Sequence, residues 1–217
     1  MITGYRKLED LPQAIPVFPL DGAVILPGGQ LPLNIFEPRY LNMLDDAMAG
    51  DRMIGMIQTR SGGDREMPAI SPVGCVTRVT SFAETGDGRY LITLTGVCRF
   101  RVAEELGLRA PYRQVRADYG PYIADLQPPE PTLLDRAPFL EALKGYLSPR
   151  GLAVDWDAAE QAPADSLVDS LAMGLPFEPA EKQALLEAID HAERADILTA
   201  LLRIDASIGD DEDPTMQ

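Results

Sequence analysis

The stretch Ile15–Gly50, IPVFPLDGAVILPGGQLPLNIFEPRYLNMLDDAMAG, holds two short apolar runs, broken by Pro and Gly, that lead into a helix. Ile15–Leu20 is too short and too rich in proline for a helix. It suits an edge strand, where a missing N–H is tolerated. Leu31–Phe36 is a second such run, with Pro32 near its start. Pro38 then stands where the first helical turn begins, its φ already helical and its absent N–H needing no partner there. Tyr40, Leu41, Leu44, Ala47 and Met48 follow as one apolar stripe at the helical period, and Gly50 supplies the stop. The segment reads as a β–β–α unit.

The pattern that follows is strand-like. Met53–Thr59 reads as a strand and Ser61–Asp64 as a loop. Val73–Phe82 and Arg89–Val102 flank Thr85-Gly-Asp-Gly88, a strong hairpin signal, and Tyr112–Asp118 gives a further short strand. Centring the hairpin between Gly86 and Asp87 places Cys75 opposite Cys98, a register that any bulge or longer turn would break. Pro121, Pro128, Pro129 and Pro131 then suggest a stiff, extended connection.

Everything beyond reads helical. Thr132–Asp135 opens a helix with Phe139, Leu140, Leu143, Tyr146 and Leu147 on one face, ended by Pro149. Asp157-Ala-Ala-Glu160 resembles a capping box. After Pro163, the stripe Leu167, Val168, Leu171 and Ala172 runs to Gly174. Pro179 begins a helix carrying Leu185, Leu186 and Ile189. Asp190-His-Ala-Glu193 caps a last one, with Ile197, Leu198, Leu201 and Leu202 inward. Single apolar stripes of this kind pack into a bundle.

Composition narrows the chemistry. With 34 acidic and 19 basic residues the net charge is −15, which repels phosphate backbones at long range. Arg78, Arg89, Arg99, Arg101, Arg109, Arg113 and Arg116 nonetheless concentrate in the strand region, leaving a local basic face open beside the plainer reading of surface arginines paired with acidic neighbours. His191 is the single histidine, so a His-pair metal site is excluded, and it reads as a helix-start surface residue. The two cysteines are too few for a secreted disulfide scaffold and read as buried thiols or a redox pair. No apolar run approaches the roughly 20 residues of a membrane span, and the N-terminus has no apolar signal core, so a cytoplasmic setting is expected. Gly209–Gln217 reads as an acidic disordered end.

The string VFPL…LPG…LPLNIFEPRY resembles the opening of the Lon-protease N-terminal, substrate-binding domain family. Val73–Val79 (VGCVTRV), Gly88–Val102, Pro111–Tyr119 and Met173–Leu202 follow in the family's order. The resemblance implies an α+β fold, a PUA-like open β-barrel followed by a small α-helical bundle. It places a barrel subdomain with one helix (about 37–49) at 1–120, a Pro-rich connector at 121–132, a helical bundle at 133–205 and an acidic disordered tail at 206–217. It implies binding of unfolded or extended polypeptide, with a protease or a second copy as further partners. Full-length Lon proteases add a nucleotide-hydrolysing module and a Ser–Lys peptidase. The three lysines here, Lys7, Lys144 and Lys182, follow no phosphate-cradling loop. Lys144 and Ser148 are four apart on a helix with nothing nearby to form an oxyanion hole.

Glu37 and Arg39 flank Pro38 and read as structural: a carboxylate suits a helix N-terminus, and the guanidinium can reach across to a strand carbonyl or another carboxylate. Tyr40 is expected to pack between helix and barrel. No catalytic, cofactor-binding or metal-ligating residue is assigned, and no cofactor is expected. The reading is a non-enzymatic recognition module. A nucleic-acid-binding barrel face including Arg99 and Arg101, a hydrolase with an unrecognised site, and a scaffold for another folded subunit stay open beside it.

Overall fold

The computed structural model describes residues 4–63, 67–107, 110–128 and 134–210. They divide into two compact units, residues 1–129 with 177–186 and residues 130–176 with 187–217.

The first unit is built on six strands: β1 (Ala14–Pro19), β2 (Gln30–Ile35), β3 (Met53–Gly63), β4 (Pro68–Glu84), β5 (Tyr90–Leu106) and β6 (Gln114–Asp118), with helix α1 (Pro38–Ala49) between β2 and β3. Hydrogen bonding runs β2-β5-β4-β3-β1-β6, and β6 pairs again with β5. Five strands therefore close into a ring, and β2 hangs outside it on β5. This is possible because β5 is long: Tyr90–Thr95 pairs with β2 and Arg101–Leu106 with β6.

β1 is not the edge strand its prolines suggest. Ala14–Pro16 pairs antiparallel with β6, and Val17–Pro19 pairs parallel with β3. Each half of the strand uses one neighbour, which leaves room for Pro16 and Pro19 to lack an N–H. β2 does occupy an edge, with alternating exposure along Gln30–Ile35.

Pro38 starts α1 as the sequence indicates, and Gly50 ends it. Its buried face is Tyr40, Met43, Leu44 and Ala47, with Leu41 and Met48 only half-buried. The Tyr40 ring lies 4.2 Å from that of Phe18 on β1, as expected for a ring wedged between helix and strands. Among the described residues, Arg52, just beyond the helix, is the one non-glycine with positive φ (60°).

The β4–β5 hairpin turns at Thr85–Arg89, where Thr85 N donates to Arg89 O (2.9 Å) and Gly88 takes φ +79°, a conformation that favours glycine. The turn centres on Asp87. An extra residue on β4, Thr80, restores the simple register for Thr77–Val79, and Val97 on β5 shifts it again. Cys75 thus faces Arg99, and Cys98 faces Val76. The two bulges cancel at the cysteines, so the direct pairing read from the sequence fails because the turn centres on Asp87, and both thiols are free and buried.

Phe100 is fully buried in a slot that two glycines leave empty. A Cβ on Gly74 would lie 2.8 Å from Phe100 Cζ and 2.5 Å from Met56 O; one on Gly55 would lie 3.0 Å from Phe100 Cζ. The segment after β6 is not an extended connector: Gly120–Leu126 winds into a 3-10 helix with Tyr122 and Leu126 buried. Helix α5 (Pro179–Glu187) also counts with this unit up to Leu186, not with the other helices. Gln58 Nε2 donates to Pro179 O (3.0 Å), and Gln183 Nε2 to Val73 O (3.1 Å). Ile189 falls beyond α5 and is 72% exposed, against the inward position expected of it.

The second unit holds α2 (Arg136–Leu147), α3 (Trp156–Gln161), α4 (Ala164–Gly174) and α6 (His191–Asp210). Its core is Phe139, Leu143, Tyr146 and Leu147 of α2, Leu167, Val168, Leu171 and Ala172 of α4, and Leu198 and Leu202 of α6. Arg136 donates to the carbonyls of Ala159, Glu160 and Ala162 at the end of α3, covering acceptors a helix terminus leaves open. The cap of α3 is Asp155, whose Oδ1 accepts from Ala158 N (3.0 Å), so a simple cap two residues earlier replaces the box expected at Asp157–Glu160. Asp190 caps α6 as expected, its Oδ1 accepting from Glu193 N, while Glu193 Oε2 accepts from Ile189 N, one residue before the cap. α6 runs to Asp210, so 206–210 are helical and not tail; Thr132, Pro129, Pro131, Asp64, Arg109 and 211–217 lie outside the described residues. No described helix is long and apolar enough to cross a membrane.

Gly74→Ala should lower stability by about 2–3 kcal/mol, since neither Met56 O nor the caged ring can retreat freely. Gly86→Ala, with open space around its Cβ, should change it by less than about 0.5 kcal/mol. Urea midpoints would show the contrast, and equal midpoints would refute the packing argument.

Candidate functional site

β2 is the one strand end of this unit with a whole flank unpaired among the described residues. Which groups it presents follows from hydrogen-bond parity. Gly96 N donates to Gly29 O (2.9 Å), and bonded and non-bonded positions alternate along an antiparallel pair. Leu31, Leu33 and Ile35 therefore bond to β5, while Gln30, Pro32 and Asn34 turn their backbone groups outward. The far side of β5 agrees: Arg89 O accepts from Thr85 N and Thr93 O from Thr80 Oγ1, so the odd-numbered positions face β4. Pro32 also fits, because its missing N–H falls on the open flank.

Beside this edge lies an apolar strip. Leu91 is directly opposite Asn34 and is 47% exposed. Phe36, which continues the parity of Pro32 and Asn34, is 62% exposed, with the Arg89 guanidinium 5.8 Å from its ring centre. On the opposite face Phe82 stands edge-on to Tyr90 (4.8 Å), whose hydroxyl donates to Asp45 of α1. β2 carries no charged side chain, and the charges around it are internally matched: Arg39 with Glu37 (2.9 Å) and Arg89 with Asp87 (3.1 Å). Arg39 thus serves Glu37 itself and stacks on Tyr40 (4.6 Å), rather than reaching a strand carbonyl.

Among the described residues, most of the barrel arginines are engaged by partners within the fold. Arg113 is held bidentate by Glu105 (2.6 and 2.7 Å), Arg116 pairs with Glu104 (3.3 Å), and Arg78 bonds the Tyr5 hydroxyl. Arg99 corrects the sequence reading most sharply: it is 2% exposed and points inward. Its Nε and Nη2 donate to Asp125 Oδ2 and Oδ1 (2.9 and 2.8 Å), its backbone N to Oδ2, and its Nη1 to Leu186 O (3.0 Å). Burial disfavours the charge on Arg99, but the hydrogen bond and charge of Asp125, joined by Tyr122 and Cys75, together outweigh it and hold the guanidinium above its ordinary pKa. Of the two proposed nucleic-acid contacts, only Arg101 is at the surface.

The remaining candidates are dispersed. His191 opens α6 as expected, yet its Nε2 lies 3.3 Å from Asp169 Oδ2, while Asp169 Oδ1 accepts from the buried Arg194 (2.8 Å). Lys144 and Ser148 are both exposed at the end of α2. Among the described residues no three His, Cys, Asp or Glu side chains converge as metal ligands. An open cleft of ≈ 400 Å³ lies between Tyr5, Asp10, Asp51, Arg52 and Arg78, but its charges are mixed and Asp10 is occupied by the N–H groups of Arg6 and Lys7.

Residues 14–203 match the model of the ATP-dependent protease La (LON) substrate-binding domain. The chain belongs to that family. It is 26% identical over 210 residues to a Lon protease of Syntrophus aciditrophicus, covering 94% of this chain and 23% of that protein. It is 33% identical over 117 residues to Lon protease 2 of Myxococcus xanthus, covering 53% of this chain and 14% of that protein. The chain thus spans about a quarter or less of the Lon proteases it matches. The fold is shared with a Lon N-terminal domain protein from Xanthomonas campestris (TM-score 0.62, 23% identity, 86% of this chain and 97% of that one). It is shared equally with the N-terminal domain of a Mycobacterium avium complex Lon protease (TM-score 0.62, 18% identity, 87% and 97%).

Arg99→Met in this Lon substrate-binding domain should cost about 3–5 kcal/mol, because it strands the Asp125 carboxylate in the interior. Adding Asp125→Leu should recover most of that loss in urea titrations; a single variant within about 1 kcal/mol of wild type would refute the role assigned to the pair. Burial pushes the Cys75 thiol up to about 12 and that of Cys98 up as well. The folded state therefore favours the neutral thiols, a contribution fully present below about 9 and lost as pH rises from there toward 12. Cys75→Ala should flatten the fall in stability at the start of that window, and native thiols should resist iodoacetamide; rapid alkylation would contradict the burial.

Proposed function

We propose that this chain is a non-catalytic recognition module that binds unfolded or extended polypeptide. The observation that carries the reading is an uncharged, unpaired strand edge flanked by exposed Phe36 and Leu91, in a member of a substrate-binding family. Exposed apolar side chains collected at one open edge mark a surface for another molecule. Such a surface recognises without reacting: it needs no nucleophile, base or metal, and it acts by burying apolar area and satisfying main-chain groups. A protease is the natural receiver of what it holds. The pairing of Arg113, Arg116 and Arg89 with carboxylates speaks against the nucleic-acid alternative, since those charges are already spent.

The test is fluorescence anisotropy with a labelled, permanently unfolded polypeptide. Wild type should bind it reversibly, without nucleotide and without cleaving it. Phe36→Ser with Leu91→Ser should weaken binding about tenfold or more while leaving the urea midpoint nearly unchanged, as surface positions allow. Failure of wild type to bind, or binding only to labelled RNA, would reject the proposal.

A further inference from the structure

Resting on that reading, we infer that the bound polypeptide adds to β2 as a further strand, pairing its main chain with Gln30, Pro32 and Asn34. Outward parity gives the ligand N–H and C=O groups at Gln30 and Asn34 and a C=O at Pro32, two residues apart, the spacing an extended chain repeats. All three residues are exposed, so the flank is open. Phe36 and Leu91 lie on one face of this edge, where alternate side chains of the added strand would land.

Charge selects the occupant. Natural edges are commonly guarded by charged side chains, and QLPLNI has none, while the neighbouring ion pairs Glu37–Arg39 and Asp87–Arg89 cancel. The edge therefore suits an apolar or weakly basic segment, and the net −3 of the barrel unit gives an acidic one no attraction. The −15 that each whole chain carries opposes a second copy. So does Pro32: in the symmetric pairing that overlaps two β2 edges fully it would meet its own counterpart, and neither could donate to the other's carbonyl. A different polypeptide supplies the N–H that Pro32 O accepts.

The probe is a short peptide alternating Val and Thr with a Lys at each end, titrated against the full chain. On binding, amide hydrogen exchange at Gln30 and Asn34 should slow at least tenfold, while Leu31, Leu33 and Ile35, already bonded to β5, should change little. Asn34→Pro removes one outward donor without touching the β5 ladder, and should weaken binding about three- to tenfold at an unchanged urea midpoint. If Asn34→Pro binds equally well and exchange at Gln30 and Asn34 is unaltered, strand addition is wrong while polypeptide recognition stands. If wild type binds neither this peptide nor the unfolded polypeptide, both fall. A dimer that dissociates in Asn34→Pro would assign the edge to a second copy and overturn the inference.

Discussion

The bond between Arg99 and Asp125 sets the arrangement on which the first unit depends. Four donors and three acceptors from three separate segments meet there: the main chain and side chain of β5, the carboxylate of the 3-10 helix, and the carbonyl of Leu186 at the end of α5. The Tyr122 ring, 4.4 Å from the guanidinium, closes the remaining side. A buried charge pair is a poor source of net stability, because desolvating both ions costs nearly what their attraction returns. Its effect here is to reject alternatives. Any packing that moves the 3-10 helix off β5 leaves an unpaired carboxylate or guanidinium in the interior, and so does any that displaces the end of α5. That explains how a segment far along the chain, 177–186, is fixed to strands made long before it.

Local chemistry was readable where one residue type decides the backbone. Pro38 at the first helical turn, the Thr85–Gly88 turn and the Asp190 cap appear where the sequence puts them, since each depends on neighbours within a few positions. Partners far apart in sequence were not readable. Arg99 alternates with apolar residues in a strand, as a solvent-facing arginine would, and nothing local announces an aspartate 26 residues away. The turn centres on Asp87, half a residue from where composition centres it, and with the bulges at Thr80 and Val97 cancelling, that offset alone separates the cysteines. α5 has the apolar stripe of a bundle helix, and a stripe does not say which core it faces.

Proline placement is the thread between fold and proposed function. In β1, Pro16 and Pro19 sit in a strand whose two halves pair with different neighbours, so the absent donors are absorbed within the ring. In β2, Pro32 falls at a position that does not bond to β5, and the strand keeps its ladder. The same residue that spares the ladder interrupts the outward row of donors. An edge of six residues without any interruption would template its own aggregation. One proline permits pairing with a chain that brings its own N–H groups and penalises pairing with an identical edge.

Charge distribution carries the argument a step further. The barrel unit holds 14 of the 19 basic residues and 17 of the 34 acidic ones, a balance of −3 against −15 for the whole chain. The acidity of this protein is therefore mostly a property of the helical unit, and total charge alone says little about what the barrel can bind. What disfavours phosphate on the barrel is local: Arg89, Arg99, Arg113 and Arg116 are bound to carboxylates in the fold, and freeing one would cost the pairing it already has. A main-chain ligand makes no such demand. It asks for unpaired N–H and C=O groups and for apolar surface, and β2 presents both without breaking any bond the fold has made.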